Sequence, residues 1–160
     1  MARKNQADLI RDIMSAAQDH VKTTGGDENK LFALLGTVPA TVPTLSLQFT
    51  KDTLAFNAYE LKNNGKMIFE KFKKYLKKVV CDDFDYCSKR EKVDENLKKY
   101  LPEIIKLLIK RIPISGKLPA WLVTILSIFG ISASSLEVVL AILIAWLIIK
   151  GCNELCQCKQ

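Results

Sequence analysis

Residues 118–149 read LPAWLVTILSIFGISASSLEVVLAILIAWLII. Glu137 is the single ionisable side chain in this stretch, and Leu, Ile, Val, Phe and Trp are denser here than anywhere else in the chain. A segment this apolar must leave water, either by entering lipid or by packing inside protein. The choice between these two environments largely decides what the protein does.

Local signals divide this stretch into two helices. Pro119 suits a first helical position, Gly130 suits a left-handed helix end, and a capping box begins at Ser134. They predict helices over 119–129 and 135–150, which at about 1.5 Å per residue are roughly 17 and 24 Å long. Since the hydrocarbon core of a bilayer is about 30 Å thick, neither helix spans it comfortably alone. We therefore predict a helical hairpin.

Each predicted hairpin helix carries a stripe of small or weakly polar residues. Such residues let helices approach closely in lipid, where no hydrophobic force drives their association. The stripes can join the two helices, meet other subunits or line a lumen, and all three arrangements stay open. The predicted contact or lumen residues are Thr124, Ser127, Glu137, Ala141 and Ala145. The side chains predicted to enter the membrane are Trp121, Leu122, Ile125, Phe129, Leu140, Leu143, Trp146 and Leu147.

The positive charge of the chain is concentrated ahead of this apolar stretch. The 160 residues carry a formal net charge of +7. Residues 62–112 hold fifteen Lys and Arg against eight Asp and Glu, a difference of +7, so the rest of the chain is balanced. A basic region favours anionic partners. Next to an apolar segment we expect acidic lipid, and we do not expect nucleic acid, because the lysines are interleaved with Glu and Asp.

Two helices of the basic region are predicted to be amphipathic. One covers 66–80 after a predicted turn at Asn63-Asn64-Gly65, and the other is a new or kinked helix that begins at Pro102. Such a helix either lies on an anionic bilayer or packs its apolar side on a protein core, and both interpretations stay open. The residues predicted to contact an anionic surface are Lys71, Lys74, Lys78, Lys106, Lys110 and Arg111.

The sequence of the first third of the chain predicts short helices joined by turns. Asn5 or Asp8 is suited to cap a first helix, and Asp27 is suited to cap a second. The chain over 45–58 is ambiguous. A short β-hairpin there competes with a helix over 52–62, which we prefer because an isolated pair of strands is unstable.

The cysteines and the first residues bear on the cellular compartment. The sequence MARKNQADLIRD has no apolar run and does not resemble a secretory signal. We therefore expect synthesis in a reducing cytosol, followed by membrane association, with the cysteines as unmodified thiols and no structural disulfides. The five cysteines are Cys81, Cys87, Cys152, Cys156 and Cys158.

The sequence predicts an all-α protein, with a small helical domain over 1–112 and the hydrophobic hairpin over 113–160. It contains no motif that places a nucleophile beside a base, binds phosphate or binds metal, so we expect neither an enzyme nor a cofactor. The leading hypothesis is a membrane-associating or membrane-inserting protein, in sharper form a pore-forming effector that assembles with itself. The alternative is a soluble helical interaction or assembly protein that buries the hairpin in its own core or in an oligomer.

Overall fold

Helices supply the regular structure of residues 5–38, 51–113 and 117–158, which the computed structural model describes, with side chains from residue 61 onward in the middle range. No strand occurs in these ranges, and the all-α prediction is confirmed. A π-helical segment over Lys78–Asp83 and 3₁₀ turns over Tyr86–Lys89 and Ala133–Ser135 link some of the helices. The α-helices are α1 (Gln6–Thr24), α2 (Glu28–Gly36), α3 (Lys51–Lys77), α4 (Arg90–Glu95), α5 (Leu97–Arg111), α6 (Ala120–Phe129), α7 (Leu136–Lys150) and α8 (Cys152–Cys156).

The first two helices begin at side-chain caps, as predicted. The side chain of Asn5, rather than that of Asp8, caps α1: its Oδ1 accepts a hydrogen bond from the backbone N–H of Asp8 at 2.8 Å. Asp27 caps α2 by accepting from the backbone N–H of Asn29 at 2.9 Å. Gly25 ends α1 with φ of +62°, a conformation that glycine adopts without a steric cost.

Helix α3 is continuous through the turn predicted at residues 63–65, so that prediction is wrong. Gly65 instead lies where α3 crosses α2, and a Cβ at this position would stand 1.6 Å from the carbonyl oxygen of Phe32. A Cβ at Gly36 on α2 would likewise stand 2.0 Å from the carbonyl oxygen of Leu61. The glycines therefore permit backbone contact between two helices. Residues 51–58 are helical, which excludes the β-hairpin there, and residues 45–50 lie outside the described ranges.

Helix α5 contains Pro102 in its interior, so of the two predicted alternatives the start of a new helix at this proline is wrong, and the proline lies within one helix. The chain breaks instead at Asn96, whose φ of −150° is not helical. Proline in a helix costs one backbone hydrogen bond. In α5 this cost is offset by burial of four apolar side chains, which are Leu101, Ile104, Ile105 and Leu108.

Helix α7 forms the centre of the core. Residues 139–147 are buried without interruption. Helix α1 packs along α7, and α2, α3 and α5 also contact it. A helix that is apolar on every side needs burial on every side, and here protein supplies that burial. Among the described residues, the helical stretch Ala133–Lys150 is also the one long and apolar enough to cross a membrane by length and composition.

The two helices predicted within residues 118–149 form as α6 and α7. Gly130 separates them with φ of +68°, as its predicted role as a helix end requires. No side-chain hydrogen bond caps α7 at its N-terminus, so the capping box predicted at Ser134 does not form. Of the ten residues of α6, Leu122 and Leu126 are buried, which places this helix at the edge of the fold.

Two disulfides join the segment after α3 to the C-terminal helix α8. Cys81 is bonded to Cys156 and Cys87 to Cys158, with Cα–Cα distances of 5.5 and 5.6 Å. The expectation of free thiols is therefore wrong for four of the five cysteines, all of which lie in the described ranges; Cys152 is free and buried. The pairing depends on α7 returning the chain beside the end of α3, which sequence spacing does not reveal. Disulfides are typical of proteins in oxidising compartments, whereas free thiols are typical of the reducing cytosol.

Candidate membrane-binding surface

A groove of about 480 Å³ lies between α3 and α6 and opens to solvent. One end of it is formed by Trp121 of α6, which stacks on Tyr75 of α3 with ring centroids 4.0 Å apart and planes inclined by 19°. Ile125, Ile128 and Phe129 continue the apolar lining along α6. The apolar part of the groove therefore combines aromatic and aliphatic side chains.

Helix α6 presents one large, well-exposed apolar side chain at this groove. Ile128, which lines the groove, is 65% exposed, whereas Val123, which is 47% exposed, is not part of the lining. Leu122 and Leu126, on the opposite side of the helix, are buried and attach α6 to the core. Clustered exposed apolar side chains on a folded protein indicate an interaction surface.

Two lysines of α3 line the same groove. Lys71 and Lys74 are exposed, and Glu70 is their acidic neighbour in the groove wall. The ammonium group of Lys74 lies 5.5 Å from the centroid of the Tyr75 ring. Because lysine stems pack along apolar surface while their charged ends stay in water, this pair suits a boundary between apolar and anionic material.

The other cations that the sequence selected lie outside this groove. Lys78 is exposed beyond the end of α3, and Lys106 and Lys110 are exposed on α5. Arg111 forms a two-pronged salt bridge with Asp83, in which Nη2 donates to Oδ1 at 2.7 Å and Nε donates to Oδ2. This hydrogen bonding lowers the pKa of the Asp83 carboxyl and raises the pKa of the Arg111 guanidinium. An anionic surface would have to compete with Asp83 for Arg111.

The residues predicted to enter the membrane fall into two groups. In α6, three of them are half-buried at the groove and Leu122 is buried. In α7, all of them are buried in the core. The α6 group at the groove is Trp121, Ile125 and Phe129, and the α7 group is Leu140, Leu143, Trp146 and Leu147. In this structure the α6 group is the one at the protein surface.

No known protein family, curated protein or solved structure matches this chain.

The two stripes of small residues lie in different surroundings. Thr124 and Ser127 of α6 are exposed, whereas Ala141 and Ala145 of α7 are buried and Glu137 is half-buried. Surfaces that contact one another are buried together, so the structure does not bring the two stripes into one contact. The alanines of α7 instead belong to the side chains packed in the core.

Trp146 lies in a cluster of side chains from α2, α3 and α7. Its Nε1 donates a hydrogen bond to Oε2 of Glu28 at 2.9 Å, and Nζ of Lys150 lies 3.7 Å from the same oxygen. The ring of Phe69 is 5.0 Å away between centroids, and the Lys73 ammonium lies 5.8 Å from the indole centroid. The contact between Glu28 and Trp146 could not be predicted from the sequence, because the two residues are 118 positions apart.

A partly buried polar cluster lies beside the two disulfides, formed by buried Tyr86 and Cys152 with exposed Asp94. The hydroxyl of Tyr86 donates to Oδ1 of Asp94 at 2.7 Å, and both burial and this hydrogen bond raise the pKa of Tyr86. Burial, with a smaller contribution from Asp94, raises the pKa of the Cys152 thiol to about 12. Cys152 is therefore a protonated and unreactive thiol at neutral pH. Among the described residues, no three His, Cys, Asp or Glu side chains come together as a metal site.

Proposed function

We propose that this protein associates with anionic membrane surfaces through α6 and the adjacent side of α3. The observation that carries this proposal is the position of exposed Ile128, with half-buried Trp121, Ile125 and Phe129, in one groove with Lys71 and Lys74. A helix with this arrangement lies at the boundary between headgroups and acyl chains, with its apolar side buried and the neighbouring lysines at the phosphates. Each lysine near an anionic leaflet contributes about 1 kcal/mol.

Association through α6 leaves α7 in the core of the protein. The proposed contact is therefore peripheral, and α6 is the element that enters the lipid boundary. The stronger hypothesis of a pore-forming or membrane-disrupting protein requires in addition that α7 leave the core. The length and composition of the helical stretch Ala133–Lys150 support that step.

Vesicle flotation tests the proposed surface. We expect the protein to float with phosphatidylcholine vesicles that contain phosphatidylserine and not with phosphatidylcholine alone, and we expect added salt to weaken the binding. The double variant Lys71→Gln/Lys74→Gln should bind at least about ten-fold more weakly. The matched control is Lys106→Gln/Lys110→Gln, which removes the same charge from α5 outside the groove and should bind nearly as well as the unaltered protein.

The apolar part of the surface is tested by Ile128→Ser. This change removes an exposed side chain, so we expect unaltered circular dichroism together with weaker vesicle binding. Equal effects of the two lysine pairs, or equal binding to charged and uncharged vesicles, would overturn the assignment of this surface. Release of an entrapped dye would separate membrane disruption from simple binding.

A second candidate function is that of a soluble helical interaction or assembly protein. The continuous burial of residues 139–147 within a single chain supports it, because the most apolar helix then needs no lipid. Under this hypothesis α6 contacts a protein partner or a second copy. A monodisperse protein that does not float with either vesicle type would favour this second candidate.

A further inference from the structure

The two disulfides fasten the C-terminal end of α7 to the segment that follows α3. Helix α7 ends at Lys150, and Gly151 alone separates it from α8, which carries Cys156 at its last position. Cys156 and Cys158 are bonded to Cys81 and Cys87, which follow α3 closely in the chain. If α7 moves out of the core, either the segment that follows α3 moves with it or the disulfides are broken.

The Cys87–Cys158 bridge is the accessible one. Cys87 is exposed, whereas Cys81 and Cys156 are both half-buried. A solvent-open cavity of about 320 Å³ lies beside Cys87 and Cys158. Its wall carries three cationic side chains and one carboxylate, which are Lys89, Arg90, Lys92 and Glu91. Positive charge near a sulfur stabilises the thiolate that thiol–disulfide exchange produces.

The fifth cysteine does not compete for these bridges. Cys152 lies one helical turn before Cys156 on α8, but it is buried and 1% exposed. Its thiol stays protonated at neutral pH, and the thiolate rather than the thiol is the attacking species. Opening of the bridges therefore requires a reductant from outside the protein.

We propose that the two disulfides form a reducible clasp that retains α7 in the core, and that an external dithiol opens this clasp first at Cys87–Cys158. This inference rests on the proposed membrane association, because lipid is the alternative environment for α7. In water the apolar side chains of α7 keep the helix inside the protein even when the bridges are open. At a membrane surface the opened chain can exchange protein contacts for lipid contacts.

Reduction of the Cys87–Cys158 bridge is an ordinary thiol–disulfide exchange. One thiolate of the dithiol attacks the exposed Sγ of Cys87, which forms a mixed disulfide and releases Cys158 as a thiolate at the cationic cavity. The second thiol of the reagent attacks the mixed disulfide, releases Cys87 and closes the disulfide of the reagent. Two electrons pass to the protein, and two protons end on the two cysteine sulfurs. The same two steps then open Cys81–Cys156.

The two tryptophans of the chain allow docking and insertion to be measured separately. Trp121→Phe leaves Trp146 in α7 as the single indole, and Trp146→Phe leaves Trp121 at the groove. Each variant is mixed with anionic vesicles whose acyl chains carry bromine, a quencher of indole emission, with and without dithiothreitol. We expect quenching of Trp121 in both conditions. We expect loss of Trp146 emission only after dithiothreitol is added.

Single-bridge variants and Cys152 provide the controls. Cys87→Ala/Cys158→Ala and Cys81→Ala/Cys156→Ala each keep one bridge and should hold Trp146 away from lipid until dithiothreitol is added. Cys152→Ala keeps both bridges and should behave as the unaltered chain.

The possible failures can be told apart. Unquenched Trp121 overturns the proposed membrane association, and the clasp with it. Quenched Trp121 with Trp146 unquenched after reduction, or equally quenched before it, overturns the clasp alone. Loss of helical circular dichroism in reduced protein without vesicles also overturns the clasp, because the bridges would then maintain the whole fold rather than the position of α7.

Discussion

Trp146 donates a hydrogen bond to the carboxylate of Glu28 across 2.9 Å, which joins α7 to the first turn of α2. Glu28→Ala removes the acceptor and leaves the part-buried indole N–H without its partner, so we expect a loss of about 1–2 kcal/mol in the free energy of unfolding. Glu28→Gln keeps an amide oxygen in place and should lose less. Urea denaturation measures both variants. Equal losses would show that the charge contact with Lys150 matters more than the hydrogen bond.

Gly65→Ala should be among the most damaging single substitutions in α3. Its Cβ would stand 1.6 Å from the carbonyl oxygen of Phe32, a backbone atom that cannot rotate away. We expect a loss of at least about 3 kcal/mol, measured by urea denaturation. Gly130→Ala is the matched control, since its Cβ would meet no atom within 4 Å and its cost of about 1 kcal/mol would come from φ of +68° alone. A smaller loss at Gly65 than at Gly130 would contradict the close crossing of α2 and α3.

The Asp83–Arg111 salt bridge predicts a stability difference that depends on pH. The pKa of Asp83 is lowered in the folded protein, so its stabilising contribution is present above the unfolded pKa of about 4 and is lost as the pH falls through the folded value. Asp83→Asn should therefore be less stable than the unaltered protein at pH 7. The two proteins should converge at acidic pH. Denaturation over a pH series from 7 down to about 2 tests this, and a difference that does not narrow as the pH falls below about 4 would contradict the assigned pairing.

Cys152 should resist alkylation in the folded protein. Its thiol is buried, and its pKa is raised to about 12, so little thiolate forms at mildly alkaline pH. Iodoacetamide at about pH 8 should leave the native protein unmodified and should add one group after denaturation in the absence of reductant. Intact-mass measurement reads the result. Rapid labelling of native protein would show that Cys152 is more accessible than the structure has it.

Local signals predicted the elements whose causes are local. Asn5 and Asp27 cap helices because a short polar side chain can reach the backbone N–H groups that follow it. Gly130 ends α6 because it adopts a left-handed conformation. The role of Gly65 could not be predicted from its neighbours in sequence. Glycine is required there because the backbone of α2, which is distant in sequence, approaches too closely for a Cβ atom. A new helix was wrongly predicted to start at Pro102 for a related reason. Burial of the apolar face of α5 outweighs the one backbone hydrogen bond that the proline removes.

The candidate surface could be predicted in part. Helical spacing identified Trp121, Ile125, Lys71 and Lys74, but their common groove exists only because α3 and α6 meet. The composition of α7 does not distinguish a helix in lipid from a helix in a protein core, since both environments favour Leu, Ile, Val and Trp. The pairing of four cysteines was likewise invisible, because it depends on which chain segments the fold brings together.

Helix α7 occupies the centre of the fold but is synthesised after α1 to α6. The ribosome therefore completes the helices that surround α7 before their central partner emerges, and contacts such as that of Glu28 with Trp146 span 118 residues. Until α7 emerges, the apolar side chains that pack against it in the folded protein lack their central partner. Exposed apolar surface on an incomplete chain favours association with a second copy or a chaperone. We therefore expect the yield of native protein to depend on how soon residues 136–150 follow the rest of the chain.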